Sequence, residues 1–366
     1  MKPALQSERV EAGRYLKPKS LYTQGEPRRE GEGKEEGIML YVGIDVAKTS
    51  LQVCVLTETQ PQQRSFANKT KGFRELSKWL KHFGDTPWVA LEATGTYGDE
   101  VSAWLHQAGI RVSVVNPARI KAYADSRLAR HKTDAIDARF IAEFCRTEQP
   151  ALWTPPSEAE RELRTLVRHL DDLKALLQAE KNRLEARPPS ATVVQQIEQL
   201  LLLLQTQIDE TINQIRDQIN RHPDLKQQHD LLTSIPGLGE KTSFHLLAEL
   251  GDLRRFSDVR QVVALAGLTP RQRQSGRSIH YTAGISRMGR SSLRAALYLP
   301  AVVAKRHNPI LKQFADRLSA KGLQPQEVVV AVMRKLIHLA YGVVKSNRPF
   351  DSDYGHDRMP VRLGTP

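Results

Sequence analysis

The chain has 366 residues, with 54 Lys and Arg against 41 Asp and Glu, a formal net charge of +13 and a pI near 9.7. At about 150 residues per domain that length implies two or three domains. A hydrophobic share of 40% excludes a wholly disordered chain, and 6% aromatics disfavours an aromatic-rich single-strand binder. The two cysteines, Cys54 and Cys145, give neither a disulfide framework nor a cysteine-based zinc site and point to a reducing cytosol. The longest apolar run, residues 295–304, contains Pro300 and falls short of the roughly 18 residues a membrane span needs. A soluble, cytoplasmic protein is expected. The positive surplus points to a polyanion, nucleic acid first.

Residues 1–38 have no apolar period, carry Lys17-Pro18-Lys19 and a Gly/Glu run, and read as a disordered arm upstream of Met39. The segment 39–153 reads as α/β. Strands are predicted over 40–46, 51–56 and 63–67, joined by connections short enough for an antiparallel meander. A helix over 70–83 follows, then a buried strand over 88–92, a helix over 97–108 closed at Gly109, a strand over 111–115 stopped by Asn116-Pro117, and a helix over 133–144. This is the element order of a ribonuclease-H-like mixed sheet. Order alone leaves another mixed α/β sheet open.

Thr154-Pro155-Pro156 marks a boundary. Leucines and isoleucines then recur at 3–4 spacing on both sides of Pro188-Pro189 over 154–222, predicting two helices of about 30 residues in an antiparallel coiled-coil hairpin. Its stripe serves dimerisation or an intramolecular arm. From 223 to 350 a mainly helical unit is expected. Within it Ser234-Ile-Pro-Gly237-Leu-Gly239-Glu-Lys241 fits a helix-hairpin-helix turn, where glycines expose backbone N–H groups to a phosphate and Lys241 adds charge. An ordinary Pro-Gly turn is the plainer reading. Between Arg254 and Arg306 there are eleven Lys/Arg and one acid, Asp258. Arg271, Arg273, Arg277, Arg287 and Arg290 among them are candidate nucleic-acid contacts, against the alternative of a solvated basic face. The chain from Asn347 reads as loose, with residues 351–366 a flexible tail.

Four carboxylates carry the first chemical reading. Asp45 lies on the strand face opposite Val42, Ile44 and Val46. Glu92 ends an apolar strand, where a charge is costly unless paired or bound to a cation. Asp134 and Asp137 share one helix face. In a ribonuclease-H-like sheet the first and fourth strands are neighbours, which would gather all four around divalent ions, and hard oxygen ligands select Mg²⁺ or Mn²⁺. Two such ions polarise a phosphodiester and activate its attacker. For Asp134 and Asp137 alone, favouring a helix dipole is explanation enough. Ser275 is the second candidate, set between Arg271, Arg273 and Arg277, which suit a scissile phosphate. Ser-Gly is also a common turn dipeptide, and Ser278, Ser286, Ser291 and Ser292 compete. Gly95-Thr-Tyr-Gly98 matches no phosphate-loop pattern, and the histidines, His131 and His280 included, show no metal-ligand spacing.

Taken together, Val42-Gly-Ile-Asp45-Val-Ala-Lys, Leu91-Glu92-Ala-Thr-Gly, Lys132-Thr-Asp134-Ala-Ile-Asp137-Ala-Arg, Ile235-Pro-Gly-Leu-Gly, Gly267-Leu-Thr-Pro, Ser275-Gly and Ile285-Ser-Arg-Met-Gly resemble the DEDD transposases of bridge-RNA-guided insertion sequences over residues 40–345. The resemblance implies a RuvC-like nuclease domain, a coiled coil and a C-terminal transposase domain. It makes Asp45, Glu92, Asp134 and Asp137 the metal-binding quartet and Ser275 the nucleophile of a covalent phosphoserine link that conserves phosphodiester energy. It further implies Mg²⁺ dependence, a structured guide RNA pairing donor and target DNA, and dimers or tetramers whose metal and serine domains come from different subunits, at work on a bacterial nucleoid. A RuvC-like Holliday-junction endonuclease cutting with water and a non-catalytic helix-hairpin-helix DNA-binding protein are the rival readings.

Overall fold

A computed structural model describes residues 39–83, 86–93, 95–127, 134–275 and 279–353, with the side chains of Thr96, Asp134, Ala135, 272–275 and 279–283 outside the description. The expected N-terminal arm, Lys132, His131, Arg277 and residues 354–366 therefore lie outside the described residues.

The first unit is a five-stranded sheet in the order β3-β2-β1-β4-β5. β1 (Leu40–Val46), β2 (Ser50–Leu56) and β3 (Gln62–Ala67) form the antiparallel meander, and β4 (Pro87–Glu92) and β5 (Arg111–Val115) add in parallel to β1. This is the strand order expected of a ribonuclease-H-like sheet. The alternation of β1 decides its two faces. Val42, Ile44 and Val46 pack with Phe73, Leu76, Val101 and Leu105 of α1 (Thr70–Leu80) and α2 (Asp99–Gln107). Tyr41, Gly43 and Asp45 alternate onto the other face. There α4 (Asp134–Glu148) covers the sheet with Ile141, Phe144 and Cys145 packed against Ala90 and Val115.

Asn116-Pro117 does more than stop β5. It starts a helix that the sequence reading lacked, α3 (Pro117–Ser126), because Pro suits the first helical position and Asn116 accepts from Ala118 N at 2.8 Å.

The two long helices form as expected: α5 (Glu158–Glu185) and α6 (Ala191–Arg221), packed together around Leu163, Val167, Leu170, Ile208, Ile212 and Ile215. Glu160 fixes the root of α5. It completes a capping box with Ser157, accepts from Asp252 N at 3.2 Å, and pairs with Arg255 at 3.2 Å while almost fully buried.

The hairpin shares its core with a helical unit of α7 (Pro223–Thr233), α8 (Glu240–Leu250), α9 (Val259–Leu265), α10 (Ser291–His307), α11 (Pro309–Ala320) and α12 (Pro325–Ser346). This unit is not wholly helical. β6 (Pro270–Ser275) and β7 (Ile279–Ile285) form a two-stranded antiparallel ribbon. The alternating Arg-Gln-Arg-Gln-Ser run lacks an apolar face, so the strand carries no hydrophobic signature. The segment after Asn347 is also less loose than expected up to Phe350, whose N–H donates to Ser234 Oγ at 2.8 Å. Among the described residues no helix is long and apolar enough to cross a membrane.

Candidate nuclease site at the strand ends

β1 and β4 run parallel with Ile44 opposite Leu91, so the next step places Asp45 beside Glu92, about 4.8 Å apart at the backbone. Both lie on the α4 face, one pleat repeat beyond Gly43 and Ala90. Gly43 sets how closely α4 approaches. A Cβ there would stand 2.1 Å from Ala138 O and 2.3 Å from Ala142 N. Further along α4, Cys145 Sγ donates to Trp88 O at 3.7 Å, at the start of β4. The helix therefore runs antiparallel to β1 and β4, and its N-terminal end lies over their C-terminal ends. From Ala138 back to position 134 is about 6 Å along the helix, and from Gly43 to Asp45 about 6.6 Å along the strand. Position 134 is one turn before Ala138, and Asp137 one turn before the buried Ile141. All four acidic positions thus share one edge and one face. Gly43 is the residue the sequence reading missed. Its signal was a glycine inside an otherwise β-branched strand.

Asp45, Glu92 and Asp137 are half-buried. Among the described residues no three His, Cys, Asp or Glu side chains close into a metal-sized cluster. Asp134 is described in its backbone alone, so that statement covers three of the four carboxylates. The donors fit a hard divalent ion in type.

The second group of candidates sits on the helical unit. Ser275 is the last residue of β6, paired with Ile279 at the end of the ribbon where the chain passes from β6 to β7, and the other end is held by Ile285 against the helical core. The serine and the carboxylates thus belong to separately cored parts of the chain. Arg271 and Arg287 are exposed, and Arg273 is placed on β6 by its backbone. Arg290 donates to both the carbonyl and the carboxylate of Glu249, the latter at 3.1 Å with Glu249 10% exposed, and is committed to packing.

At the turn between α7 and α8, Gly237 (φ +102) is required by fit as well as by conformation: a Cβ would reach 2.5 Å from Ala304 Cβ. Gly239 caps α8 in open space, and Lys241 is exposed. Glu240 already occupies the positive end of α8 and is held bidentately by Arg216 at 2.7 and 2.8 Å, which draws its carboxyl below the usual range. Behind it Ser243 Oγ meets His229 Nδ1 at 2.6 Å.

Two family profiles match the chain: one described as a transposase, over residues 42–187, and one described as the IS116/IS110/IS902 transposase family, over residues 229–316. A pilin gene-inverting protein of Moraxella bovis is 37% identical over 85% of this chain and 97% of its own length. The chain belongs to the IS110/IS116/IS902 family of transposases. It is therefore an enzyme of DNA transposition and recombination. The transposase for insertion sequence element IS1111A of Coxiella burnetii is 24% identical over 73% of this chain and 78% of its own length. Among solved structures, T. thermophilus RuvC in complex with a Holliday junction substrate matches 31% of this chain and 99% of its own, at 15% identity and a TM-score of 0.25. That overlay is too loose to bear on the fold, which rests on the strand order.

Proposed function

We propose that this transposase cuts and rejoins DNA with Asp45, Glu92, Asp134 and Asp137 as a divalent-metal quartet and Ser275 as nucleophile. The observation that carries the reading is the register of β1 on β4 with α4 antiparallel above them, which brings four acidic positions from three elements to one edge. The quartet would hold Mg²⁺ or Mn²⁺, which when bound supplies positive charge to the scissile phosphate and lowers the barrier to its attack. The Ser275 hydroxyl attacks phosphorus, the serine oxygen–phosphorus bond forms and the bond to one sugar oxygen breaks. A neighbouring carboxylate takes the serine proton, and the departing sugar oxygen gains one. Reversal by a different sugar hydroxyl joins the new strand without ATP. Arg271, Arg273, Arg277 and Arg287 steady the phosphate, and Gly237, Gly239 and Lys241 hold flanking DNA in a helix-hairpin-helix contact.

The separate cores of serine and carboxylates support a site completed between subunits, as do the exposed Leu176, Leu202 and Leu203 on the coiled-coil hairpin of α5 and α6. A dimer or tetramer through that stripe, guided by a structured RNA, is the assembly proposed. The Moraxella relative is named for inverting a gene segment, which is also cutting and rejoining.

Incubating the protein with DNA bearing element ends tests this. Ser275→Ala is expected to lose both recombination and the protein–DNA adduct while still binding DNA, and Asp45→Asn to lose cutting. Undiminished recombination by Ser275→Ala would remove the covalent step. Metal-dependent cutting of branched DNA by Ser275→Ala, with no adduct in either protein, would support the junction endonuclease instead.

A further inference from the structure

Outside the strand-end site, a cavity of about 480 Å³ lies between α1 and α2 of the sheet unit and the root of α5, bridged by the 153–156 linker. That volume suits one small ligand or one nucleotide. Its apolar walls are Phe73, Trp104 and Trp153, and its polar wall is Arg161, Arg164 and Arg168, at i, i+3 and i+7 along one face of α5. Asp99 and Glu100 close the remaining side from the first turn of α2.

The aromatic rings are held in place. Trp104 Nε1 donates to Ser77 Oγ at 3.3 Å. The Trp153 backbone N–H donates to Val112 O at 2.7 Å, and its ring meets His106 edge-on at 6.0 Å.

The arginine wall is under-compensated. Arg164 Nε donates to Ala248 O at 2.9 Å, and among the described residues none of the three arginines forms an ion pair with a carboxylate. Burial, and then the nearby charges of Arg290 and Arg168, press the Arg164 guanidinium below its usual range, against the opposite pull of Glu249 and Asp99. Burial raises the Asp99 carboxyl, against the pull of Arg164, Arg168 and Arg290. Exposed Arg161 and Arg168 gathered about the half-buried Arg164 favour an anion among them.

The cavity also sits close to the proposed chemistry along the chain. α2 follows Glu92 closely in the chain, and before it the exposed Tyr97, in the short 3-10 turn Gly95–Gly98, is tied through its carbonyl to Asn68, which also holds Ala47, the residue after β1.

We propose that the cavity holds one unpaired nucleotide of a nucleic-acid strand, its base against Trp104 and Trp153 and its phosphate on Arg161 and Arg168. Aromatic stacking and guanidinium–phosphate contact are the two interactions by which single strands are gripped. Asp99 and Glu100 accept from amino-bearing base edges, so cytosine and adenine are favoured over thymine and uracil, which present carbonyls there. The proposal uses none of the quartet and none of Ser275, and it deepens the nucleic-acid reading by adding a second grip on the strand.

The test is binding of full-length protein to labelled 12-residue single strands of cytosine or of thymine, as DNA and as RNA, in EDTA so that no metal chemistry contributes. Wild-type protein is expected to bind cytosine strands more tightly than thymine strands. Arg161→Ala/Arg168→Ala replaces two exposed side chains, so folding is retained and far-ultraviolet circular dichroism checks it. The double variant is expected to lose about tenfold or more in affinity and to lower the slope of log affinity against log salt by about 0.7, the value for the one single-strand phosphate contact it removes. Asp99→Asn/Glu100→Gln is expected to erase the cytosine preference. Ultraviolet cross-links should map to peptides containing Trp104 or Trp153. Loss on DNA alone or RNA alone assigns the source of the nucleotide, and loss on both assigns either strand. Wild-type affinity and salt slope in the arginine variant, or cross-links only elsewhere, overturn the pocket while leaving the recombinase reading intact. A protein that cuts no DNA with Mg²⁺ but shows the full variant pattern overturns the recombinase reading and keeps the pocket.

Discussion

Gly43→Ala is the sharpest probe of the strand-end geometry, because it adds one methyl group and touches no acid. The new Cβ would lie 2.1 Å from the Ala138 carbonyl oxygen and 2.3 Å from the Ala142 nitrogen, both backbone atoms of α4. Ordinary contact begins at 3.4 Å, so the helix must retreat by about 1.3 Å. Overpacking of that kind costs about 1–3 kcal/mol. At about 4 °C per kcal/mol for a domain of roughly this size, the melting transition of the sheet unit should fall by about 4–12 °C. The same retreat carries Asp134 and Asp137 away from Asp45 and Glu92. A displacement near 1 Å costs about a hundredfold in rate where groups act together. The assay pairs a thermal melt with Mn²⁺ titration followed by electron paramagnetic resonance, and with cleavage of DNA bearing element ends. Gly342→Ala is the control: it lies within α12 in open space, so its melting point should hold or rise. A Gly43→Ala protein with unchanged melting, Mn²⁺ affinity and cleavage would show that close packing of α4 on β1 does not set the site.

Further outcomes are expected from other parts of the fold. Glu92→Gln should abolish Mg²⁺-dependent cleavage while leaving single-strand binding in EDTA within twofold, measured by fluorescence anisotropy. Glu160→Ala removes the α5 cap together with the partners of Asp252 N and Arg255, and should cost about 2–4 kcal/mol in urea unfolding. Replacing Glu249 by Ala strands the part-buried Arg290 and should cost about 1–2 kcal/mol by the same measurement, because Arg290 retains some access to water. Burial lowers the proton affinity of His229, His245 and His338 below that of a free histidine, whose value is 6.5. The unfolded chain therefore binds more protons below that value, so stability is full above about pH 6.5 and declines as pH falls through the lower folded values. Stability that is flat between pH 7 and pH 5 would contradict this.

Most of the sheet unit was legible in the sequence because its strands obey a two-residue alternation and its helices a 3.6-residue one. Val42, Ile44 and Val46 against Asp45 already stated which face was which. The unread parts lacked an apolar period. β6 is built from alternating Arg and Gln, so it carries no burial signal, and the helix after Asn116-Pro117 looked like an end because the same dipeptide stops a strand and caps a helix. Gly43 was invisible as a determinant since its role depends on the backbone of a helix some hundred residues later. The arginines of α5 were hidden for another reason. Arg161, Arg164 and Arg168 sit at the polar positions of a long amphipathic helix, where charge is the ordinary occupant. Only packing against Trp104 and Trp153 gives them a common cavity.

Glu160 has a mechanical consequence. Helix α5 extends about 42 Å from its first turn, at about 1.5 Å for each of its 28 residues. Its near end is pinned by one carboxylate that grips its own cap, the Asp252 amide and Arg255 together. A load applied to the far end of the hairpin reaches the helical unit through Glu160 together with the shared core and the Arg164 contact to Ala248, which makes the hairpin a lever whose bearing is the whole root of α5.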